Sequence, residues 1–511
     1  MFESILAGLQ QLISIEALLA INAGVFAGIL MGSLPGVGVP MSVTVLLPLV
    51  FGMDTANALL LLLGVYCGGT YGGSITAILI KAPGAEAAVT TAIDGYELTK
   101  QGKSRKALDI AILASTVGGI ISAIALVLFA PFLARYVLSF GPPEYFALGI
   151  FGLTVISAVS GKSPIKGLIL GAFGVFLSTI GLDMFTGTPR MTFGNLYLSG
   201  GIGLVPAIIG VFSVAEILLK AESLPTLKPY GRVSVAKSEG LTKAEVKATL
   251  RSIFRSSGIG TVIGAIPGAG AVIAAFVGYA EAKRRSKKPD EFGAGSLEGV
   301  AAAEAANNAV TSSSLIPMLT LGVPGSVVAA IVMGALMMNG LIPGASLFRE
   351  NAVMTYTVMV GMIFVNIFMF AQAKVFIRLV VKVTQIRPAL LMVLVLILSL
   401  TGTFAVNNTL NDVVILIIAA VVGYVLVRLE FSLPPLVLGM VLGPLAETAL
   451  RQSLLISGGT FSIFVTRPIS AVFLGLALLS VVFSYVQKRR RAKQKEEEAR
   501  AQLDQESETV E

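Results

Sequence analysis

The sequence has no histidine, no tryptophan, one cysteine and few charged side chains. Only 13% of its 511 residues are charged and 55% are hydrophobic, whereas a soluble globular chain carries about 25% charged residues. The absence of histidine excludes imidazole as a proton relay or a metal ligand. Because one cysteine cannot form an intrachain disulfide, Cys67 is predicted to pack within an apolar helix. The composition therefore predicts an integral membrane protein whose chemistry depends on carboxylates, hydroxyls, amides and backbone groups.

Apolar runs recur along the whole chain. A membrane-spanning helix needs about 20 apolar residues, and several of these runs are shorter than that. The candidate segments are 17–34, 41–53, 56–80, 110–133, 144–160, 165–182, 198–219, 257–280, 300–321, 325–343, 352–377, 388–405, 413–427, 432–446 and 468–486. The short segments are expected to be half-helices or re-entrant arms, and the predicted fold class is an all-α polytopic bundle.

The basic residues are concentrated beside the apolar runs. Of the 37 lysines and arginines, 23 fall in the segments 100–106, 220–255, 283–288 and 488–495. This placement follows the positive-inside rule and does not favour nucleic-acid binding, despite the formal net charge of +8. We expect the N-terminus outside and the C-terminal tail in the cytoplasm. The first basic residue is Lys81, so the chain starts without the cationic region of a secretory signal peptide.

Two stretches of the chain are copies of each other. Residues Gly28, Gly32, Pro35, Gly36 and Gly38 recur 232 positions later as Gly260, Gly264, Pro267, Gly268 and Gly270, and the pair Pro83-Gly84 recurs 241 positions later as Pro324-Gly325. The repeat predicts a first membrane repeat at 1–220 and a second at 257–486. We interpret 221–256 as a cytoplasmic connector and 487–511 as a charged cytoplasmic tail.

Loop charge indicates how the two repeats are oriented. The loop 100–106 holds four basic residues and its counterpart 343–350 holds one, while 134–143 holds one and its later equivalent holds three. A bias that reverses between equivalent loops is typical of inverted-topology repeats. The segment 257–280 is basic at both ends, so either Pro267-Gly268 turns it back as a re-entrant element or the charge bias fails there. The sequence leaves both possibilities open.

The Pro-Gly pairs interrupt apolar segments. Proline removes a backbone donor and glycine permits positive φ, so a helix ends and another element begins. A helix N-terminus suits a carboxylate, whereas a C-terminus offers carbonyls to a cation; the alternative is a kink with close packing of small residues. The predicted substrate-binding residues are Pro35, Gly36, Gly38, Gly73, Ser74, Lys81, Pro83, Gly84, Pro267, Gly268, Gly270, Asn307, Asn308, Ser314, Pro324 and Gly325.

A polar stripe crosses an alanine-rich segment. Residues Glu304, Asn307, Asn308 and Thr311 have the spacing of one helix face, and Ser312 follows them. Such groups are unfavourable in hydrocarbon unless they face the bundle interior or water, so we assign ion binding to Glu304, Thr311 and Ser312. The alternatives are a hydrogen-bonded contact between helices and a position of Glu304 near the membrane interface.

Lys81 precedes the first Pro83-Gly84 pair at the end of a long apolar segment. An ammonium group in that position needs an anionic partner, for which a substrate carboxylate or Glu86 would serve. Alternatively, the side chain extends to the membrane interface.

Sequence motifs of enzymes are absent. The segment Gly161-Lys162-Ser163 resembles the end of a phosphate-binding loop, but Ile156 stands where glycine is required. The sequence contains no Gly-x-Ser-x-Gly, Cys-x-x-Cys or His-Glu-x-x-His motif. We therefore expect no enzymatic activity, no metal site and no organic cofactor, and uphill transport would need a Na⁺ or H⁺ gradient or an ATPase on another subunit.

The chain resembles the large membrane subunit of the tripartite tricarboxylate transporters, the TctA family. The resemblance covers nearly the whole chain to about residue 486, although the family often has asparagine where this chain has Lys81. The matching segments are 32–38, Tyr71-Gly72-Gly73-Ser74-Ile75 with Pro83-Gly84, Asp94-Gly95-Tyr96, Pro267-Gly268, Asn307-Asn308, and 319–325.

The resemblance implies a multi-pass permease of the bacterial inner (plasma) membrane that imports organic carboxylates. Such a permease works with a small membrane subunit, receives its substrate from a periplasmic solute-binding protein and draws on a sodium or proton gradient. Tricarboxylates, dicarboxylates and aromatic carboxylates occur as substrates in the family. The alternative function is a stand-alone ion-coupled carrier or channel that needs no binding protein.

Overall fold

The computed structural model describes residues 2–34, 36–159, 163–223, 239–383, 388–482 and 486, and these residues are mostly helical. The first helices are α1 (Phe2–Leu12), α2 (Ile15–Gly32), α3 (Val39–Leu46), α4 (Thr55–Ile80), α5 (Ala88–Lys100), α6 (Ser104–Val137), α7 (Pro142–Val159), α8 (Pro164–Ser178), α9 (Leu196–Ser199), α10 (Leu204–Ile209) and α11 (Ala215–Ser223). The later helices are α12 (Lys243–Gly264), α13 (Gly270–Arg285), α14 (Leu297–Ser313), α15 (Leu315–Leu321), α16 (Val327–Met338), α17 (Leu347–Glu350), α18 (Ala352–Val383), α19 (Pro388–Asn407), α20 (Leu410–Arg428), α21 (Pro434–Ile456), α22 (Ile463–Thr466) and α23 (Pro468–Val482).

Six helical segments of the described chain are long and apolar enough to cross a membrane. They are Ile15–Gly32, Thr55–Ile80, Ser104–Val137, Leu204–Glu222, Ala352–Val375 and Leu410–Arg428. Shorter apolar helices include Val39–Val50, Pro164–Ser178, Val327–Met338, Met392–Asn407 and Pro468–Val482. The prediction of an all-α polytopic membrane protein is confirmed.

The chain divides into two compact units, each of which takes segments from both sequence repeats. Unit 1 comprises Met1–Ser139 and Phe193–Val425, and unit 2 comprises Phe140–Thr192 and Leu426–Glu511. The expected connector lies partly outside the described residues, at 224–238, and the expected tail 487–511 lies wholly outside them.

Unit 1 is built around two buried helices, α4 and α14. Helix α4 begins at Asp54, whose side chain accepts hydrogen bonds from the backbone N–H groups of Ala56 and Asn57, and almost its entire length is buried. It packs against α2, α3 and α5, while α14 packs against α5, α6, α12 and α13. Every described residue of α14 from Gly299 to Ser313 is buried. These two helices therefore form the interior of unit 1.

Helices α12 and α13 form a hairpin that turns at Pro267-Gly268. The Ser256 hydroxyl donates to the carbonyl of Gly278 at 3.4 Å, and these residues lie at equal sequence distances before and after Pro267. The two helices also pack against each other. The basic segments on either side of 257–280 therefore lie at the same end of this hairpin, so the structure favours the re-entrant alternative.

A capping box starts α12. The Thr242 side chain accepts from the Glu245 backbone N–H, while the Glu245 carboxylate accepts from the Thr242 backbone N–H. Lys106 at the start of α6 lies 2.7 Å from Glu245 Oε1. This ammonium group, with the Thr242 backbone N–H, lowers the pKa of Glu245 to about 2. The Lys106–Glu245 ion pair therefore connects α12 to α6 at a position outside the apolar runs.

Unit 2 is built from α7, α8 and α21, with a short antiparallel pair of strands, β1 (Gly181–Leu182) and β2 (Pro189–Arg190). Helices α8 and α21 meet at glycines: a methyl group added at Gly439 would lie 2.2 Å from the Gly171 carbonyl oxygen. Small residues thus allow the close helix contact that is common in membrane bundles. Separately, Asp183 in the turn between the strands lies 2.8 Å from Arg451 of α21.

Candidate functional site

The Pro83-Gly84 break forms a three-way junction of Gly32, Gly73 and Gly84, which we call the first junction. The Gly84 backbone N–H donates to the Gly73 carbonyl at 3.1 Å. A methyl group added at Gly84 would lie 1.9 Å from the Gly32 carbonyl oxygen. The chain after α4 therefore packs directly on the end of α2, with no room for a side chain.

The equivalent break at Pro324-Gly325 has the same construction. It is formed by Gly264, Ser314 and Gly325, and we call it the second junction. The Gly325 N–H donates to the Ser314 carbonyl at 3.1 Å. A methyl group added at Gly325 would lie 2.6 Å from the Gly264 carbonyl oxygen. Gly264 lies 232 positions after Gly32, and Ser314 and Gly325 lie 241 positions after their counterparts. The sequence repeat therefore extends to the packing of the backbone.

The turns at the breaks adopt left-handed backbone conformations at equivalent positions. Gly36 and Gly268, 232 positions apart, have φ values of 89° and 77°. Lys81 and Gly322, 241 positions apart, have φ values of 56° and 71°. A non-glycine residue in this region carries strain of about 1–3 kcal/mol. Lys81 therefore holds a strained conformation at the end of α4.

Three of the predicted anion-binding N–H groups have backbone partners in this structure. Gly84 and Gly325 donate within their junctions, and Gly268 donates to the Gly325 carbonyl at 3.2 Å. Such contacts are typical of close packing between small residues, which is the alternative to anion binding that the sequence left open. The remaining glycines of the breaks are Gly36, which is exposed, Gly38, which is the N-cap residue of α3, and Gly270, which is the first residue of α13.

Glu304 lies at the centre of a buried network of hydroxyl groups. Ser74 Oγ donates to Glu304 Oε1 at 2.6 Å, and Ser115 Oγ donates to Oε2 at 2.8 Å. Thr91 Oγ1 also donates to Oε1. All four side chains are buried. The carboxylate is thus bound by α4, α5 and α6 at once, and Glu304 lies in the interior of unit 1.

Asn308 determines which groups donate and which accept in this hydrogen-bond network. Its side-chain Nδ2 donates to Ser115 Oγ at 2.9 Å. Since Ser115 accepts this bond, its single hydroxyl proton is available to Glu304. Asn308 Oδ1 and both polar atoms of the Asn307 side chain are fully buried and make no hydrogen bond to any described residue. The stripe therefore presents buried acceptor atoms beside a carboxylate.

Ser314 of the second junction is bonded to the polar stripe, because its Oγ donates to the Thr311 carbonyl at 3.3 Å. Thr311 Oγ1 donates to the Asn308 carbonyl at 2.7 Å, and Ser312 Oγ donates to the Gly119 carbonyl at 3.4 Å. Ser326 Oγ donates to Ser314 Oγ at 3.4 Å.

Contacts also cross between the repeats. The Tyr66 hydroxyl lies 3.1 Å from Ser326 Oγ, and Cys67 is buried with its thiol donating to Thr311 Oγ1 at 3.4 Å. The Ser74 hydroxyl, next to Gly73 of the first junction, reaches Glu304 of the second repeat. Within unit 1, hydrogen bonds therefore connect the two junctions to one polar stripe.

Lys81 points away from this network. Its side chain is exposed, and its Nζ lies 5.8 Å from the centre of the Tyr96 ring, within the range of a cation–π contact. Glu86 is also exposed. Pro83 is half-buried and Pro267 and Pro324 are buried, whereas Pro35 lies outside the described residues.

Sequence reasoning missed two donors of the network, Thr91 and Ser115. A sequence signal exists only for Ser115, a polar residue within the apolar part of α6. Asp94, which belongs to the family motif, has a different role. Its Oδ1 accepts from the backbone N–H groups of Gly293 and Ser296 at 2.7 and 2.9 Å, just before α14 begins. It positions the start of the helix that carries Glu304.

Among the described residues, no group of three or more cysteine, aspartate or glutamate side chains is arranged to hold a metal ion.

Comparisons with known proteins relate this chain to a transport family. Residues 18–438 match the family model described as the tripartite tricarboxylate transporter TctA family. The chain is 37% identical over 461 residues to an uncharacterized 52.8 kDa protein in the TAR-I ttuC' 3' region of Agrobacterium vitis, covering 90% of this chain and 91% of that protein. It is 39% identical over 225 residues to an uncharacterized protein in the TAR-II ttuC' 3' region of the same organism, covering 44% of this chain and 93% of that protein. No solved structure matches the chain significantly.

Proposed function

Because this chain belongs to the tripartite tricarboxylate transporter TctA family, we propose that it is the large membrane permease of an ion-gradient-driven importer of organic carboxylates of the tricarboxylate or dicarboxylate type. A periplasmic solute-binding protein delivers the substrate, and a small membrane subunit completes the transporter. The chain works as a multi-pass protein of the bacterial inner membrane with its C-terminus in the cytoplasm.

The observation that carries this proposal is the pair of equivalent junctions joined by one buried polar network. The first junction contacts the network through Ser74, and the second contains Ser314. Interrupted helices that meet at polar groups inside the bundle are the usual construction of a transporter's binding region. The junctions and the network lie in unit 1, so they support one site built from both repeats.

The two repeats are proposed to have inverted topology. Equivalent loops carry opposite charge bias, and the backbone contacts of the junctions recur between the repeats. Inverted repeats allow one arrangement to open to either side of the membrane.

We assign coupling to a cation at Glu304. The described partners of this buried carboxylate are hydroxyl groups, and no described lysine or arginine pairs with it. A charge buried without a partner is strongly unfavourable, so the carboxylate needs a proton or a cation. The unpartnered Asn308 Oδ1 adds an acceptor, which suits a small hard cation such as Na⁺. Thr311 and Ser312 supply further oxygens on the same helix face.

Transport by purified components tests the proposal. The permease and its small subunit are placed in liposomes, and labelled citrate, succinate and benzoate are offered with and without the solute-binding protein. We expect uptake only with the binding protein and only with an inward Na⁺ or H⁺ gradient. Equal uptake without the binding protein would instead support a stand-alone carrier or channel. Chemical conversion of a bound acid, detected by mass spectrometry, would contradict transport as the activity.

A further inference from the structure

Lys220 places a positive charge beside Gly36, the glycine of the Pro35-Gly36 pair. A methyl group added at Gly36 would lie 3.1 Å from Lys220 Cε and 3.6 Å from its Nζ. Gly36 is exposed and has a φ of 89°, a conformation that favours glycine. The lysine stem therefore crosses a glycine that is also part of the family motif at 32–38.

Packing of apolar side chains holds α11 in this place. Ile217 belongs to a buried cluster with Leu34 and Val37, which flank the break on both sides. Because Lys220 lies one turn after Ile217 on α11, its position beside Gly36 follows from the packing of the helix.

One partner of Lys220 is a carboxylate on the same helix. Lys220 Nζ lies 2.7 Å from Glu216 Oε1, and the side chains are 20% and 43% exposed, respectively. Because Glu216 is nearly half exposed, this ion pair is partly solvated and weak, so another carboxylate can replace Glu216.

We propose that Lys220 binds a carboxylate group of the transported acid beside Gly36, and that Glu216 pairs with the lysine when no acid is bound. The inference rests on the proposed function and adds a residue to its substrate site. An ammonium group offers three donors, and exchanging one carboxylate for another keeps it paired throughout.

Two substitutions with opposite expected effects test the proposal. In the complete transporter complex, Lys220→Gln should weaken citrate binding about tenfold, because it removes a charge-assisted hydrogen bond. Glu216→Gln should tighten citrate binding several-fold, because it removes the competitor for the same ammonium group. The dissociation constant is measured by titration calorimetry on the purified complex, with succinate and benzoate as further probes. Lys288→Gln, at an exposed lysine paired with Glu291, is the matched control and should leave binding unchanged.

The signs of the two effects separate the outcomes. If both variants weaken binding, the ion pair is structural and the proposal is overturned; it is also overturned if Lys220→Gln binds citrate with parental affinity. Should Lys220→Gln fail to assemble, Glu216→Gln decides alone, since unchanged or weaker binding contradicts a competitor role. If the parental complex neither binds nor imports any of the three acids, the proposed function itself fails, and this inference fails with it.

Discussion

Glu304 shows how one residue depends on hydroxyl groups that are remote in sequence. Its carboxylate accepts from Ser74, Thr91 and Ser115 on three different helices. A hydrogen bond to a charged group contributes about 1.5–3 kcal/mol. Removal of one donor should therefore weaken the hydrogen bonding of the carboxylate while the carboxylate itself stays in place. Substitutions of the donors therefore test the role of Glu304 more gently than a substitution of Glu304.

We predict that Ser115→Ala reduces ion-driven uptake about tenfold, because Glu304 loses a donor and Asn308 loses its acceptor at the same position. Uptake is measured in liposomes under a fixed gradient. Ser122→Ala is the matched control on α6, since the Ser122 hydroxyl donates to the Gly119 carbonyl of its own helix at 3.0 Å. A folded Ser115→Ala permease with parental uptake would remove Glu304 from the coupling role.

At the scale of elements, glycine decides which helices can touch. Helix α2 meets α4 through Gly28, and α12 meets α14 through Gly260, at positions 232 residues apart. A methyl group added at these glycines would lie 2.5 Å from the Val65 carbonyl oxygen and 2.3 Å from the Ala306 carbonyl oxygen. The two helix pairs therefore use the same type of crossing.

Two glycines on α12 give a direct test of this packing. Gly260→Ala should lower the free energy of unfolding by about 1–3 kcal/mol, as overpacking does. Gly258 is exposed, and a methyl group added there would meet no atom of another segment within 4 Å, so Gly258→Ala should be neutral or raise stability by up to about 1 kcal/mol through helix propensity. Thermal unfolding of both variants in detergent compares them. Equal stability of the two variants would show that α12 does not need close approach to α14.

At the scale of the whole molecule, the orientation of the repeats decides whether the site can open to both sides. The loops 100–106 and 343–350 are equivalent in sequence and differ in charge. Inverted repeats place them on opposite sides of the membrane, whereas parallel repeats place them on the same side.

Cysteine labelling distinguishes these arrangements, because the single native thiol, Cys67, is buried. We predict that an impermeant thiol reagent labels Glu350→Cys in cells whose outer membrane alone is permeable. Gly102→Cys should react only after the inner membrane is opened. Parental protein, which should stay unlabelled, is the control. Labelling of both positions from the same side would support parallel repeats.

Composition and local patterns are enough to predict a helical membrane protein, two repeats with shared Pro-Gly breaks and a polar stripe on α14. These properties follow from composition, local backbone chemistry and short-range periodicity, which act within a few residues of each other. The folded structure, by contrast, was needed to show that Thr91 and Ser115, 213 and 189 positions from Glu304, donate to its carboxylate. It also decided that 257–280 is a hairpin and that the N–H groups of Gly84 and Gly325 have backbone partners. Such contacts depend on how separate helices pack, and no local pattern in the chain specifies that packing.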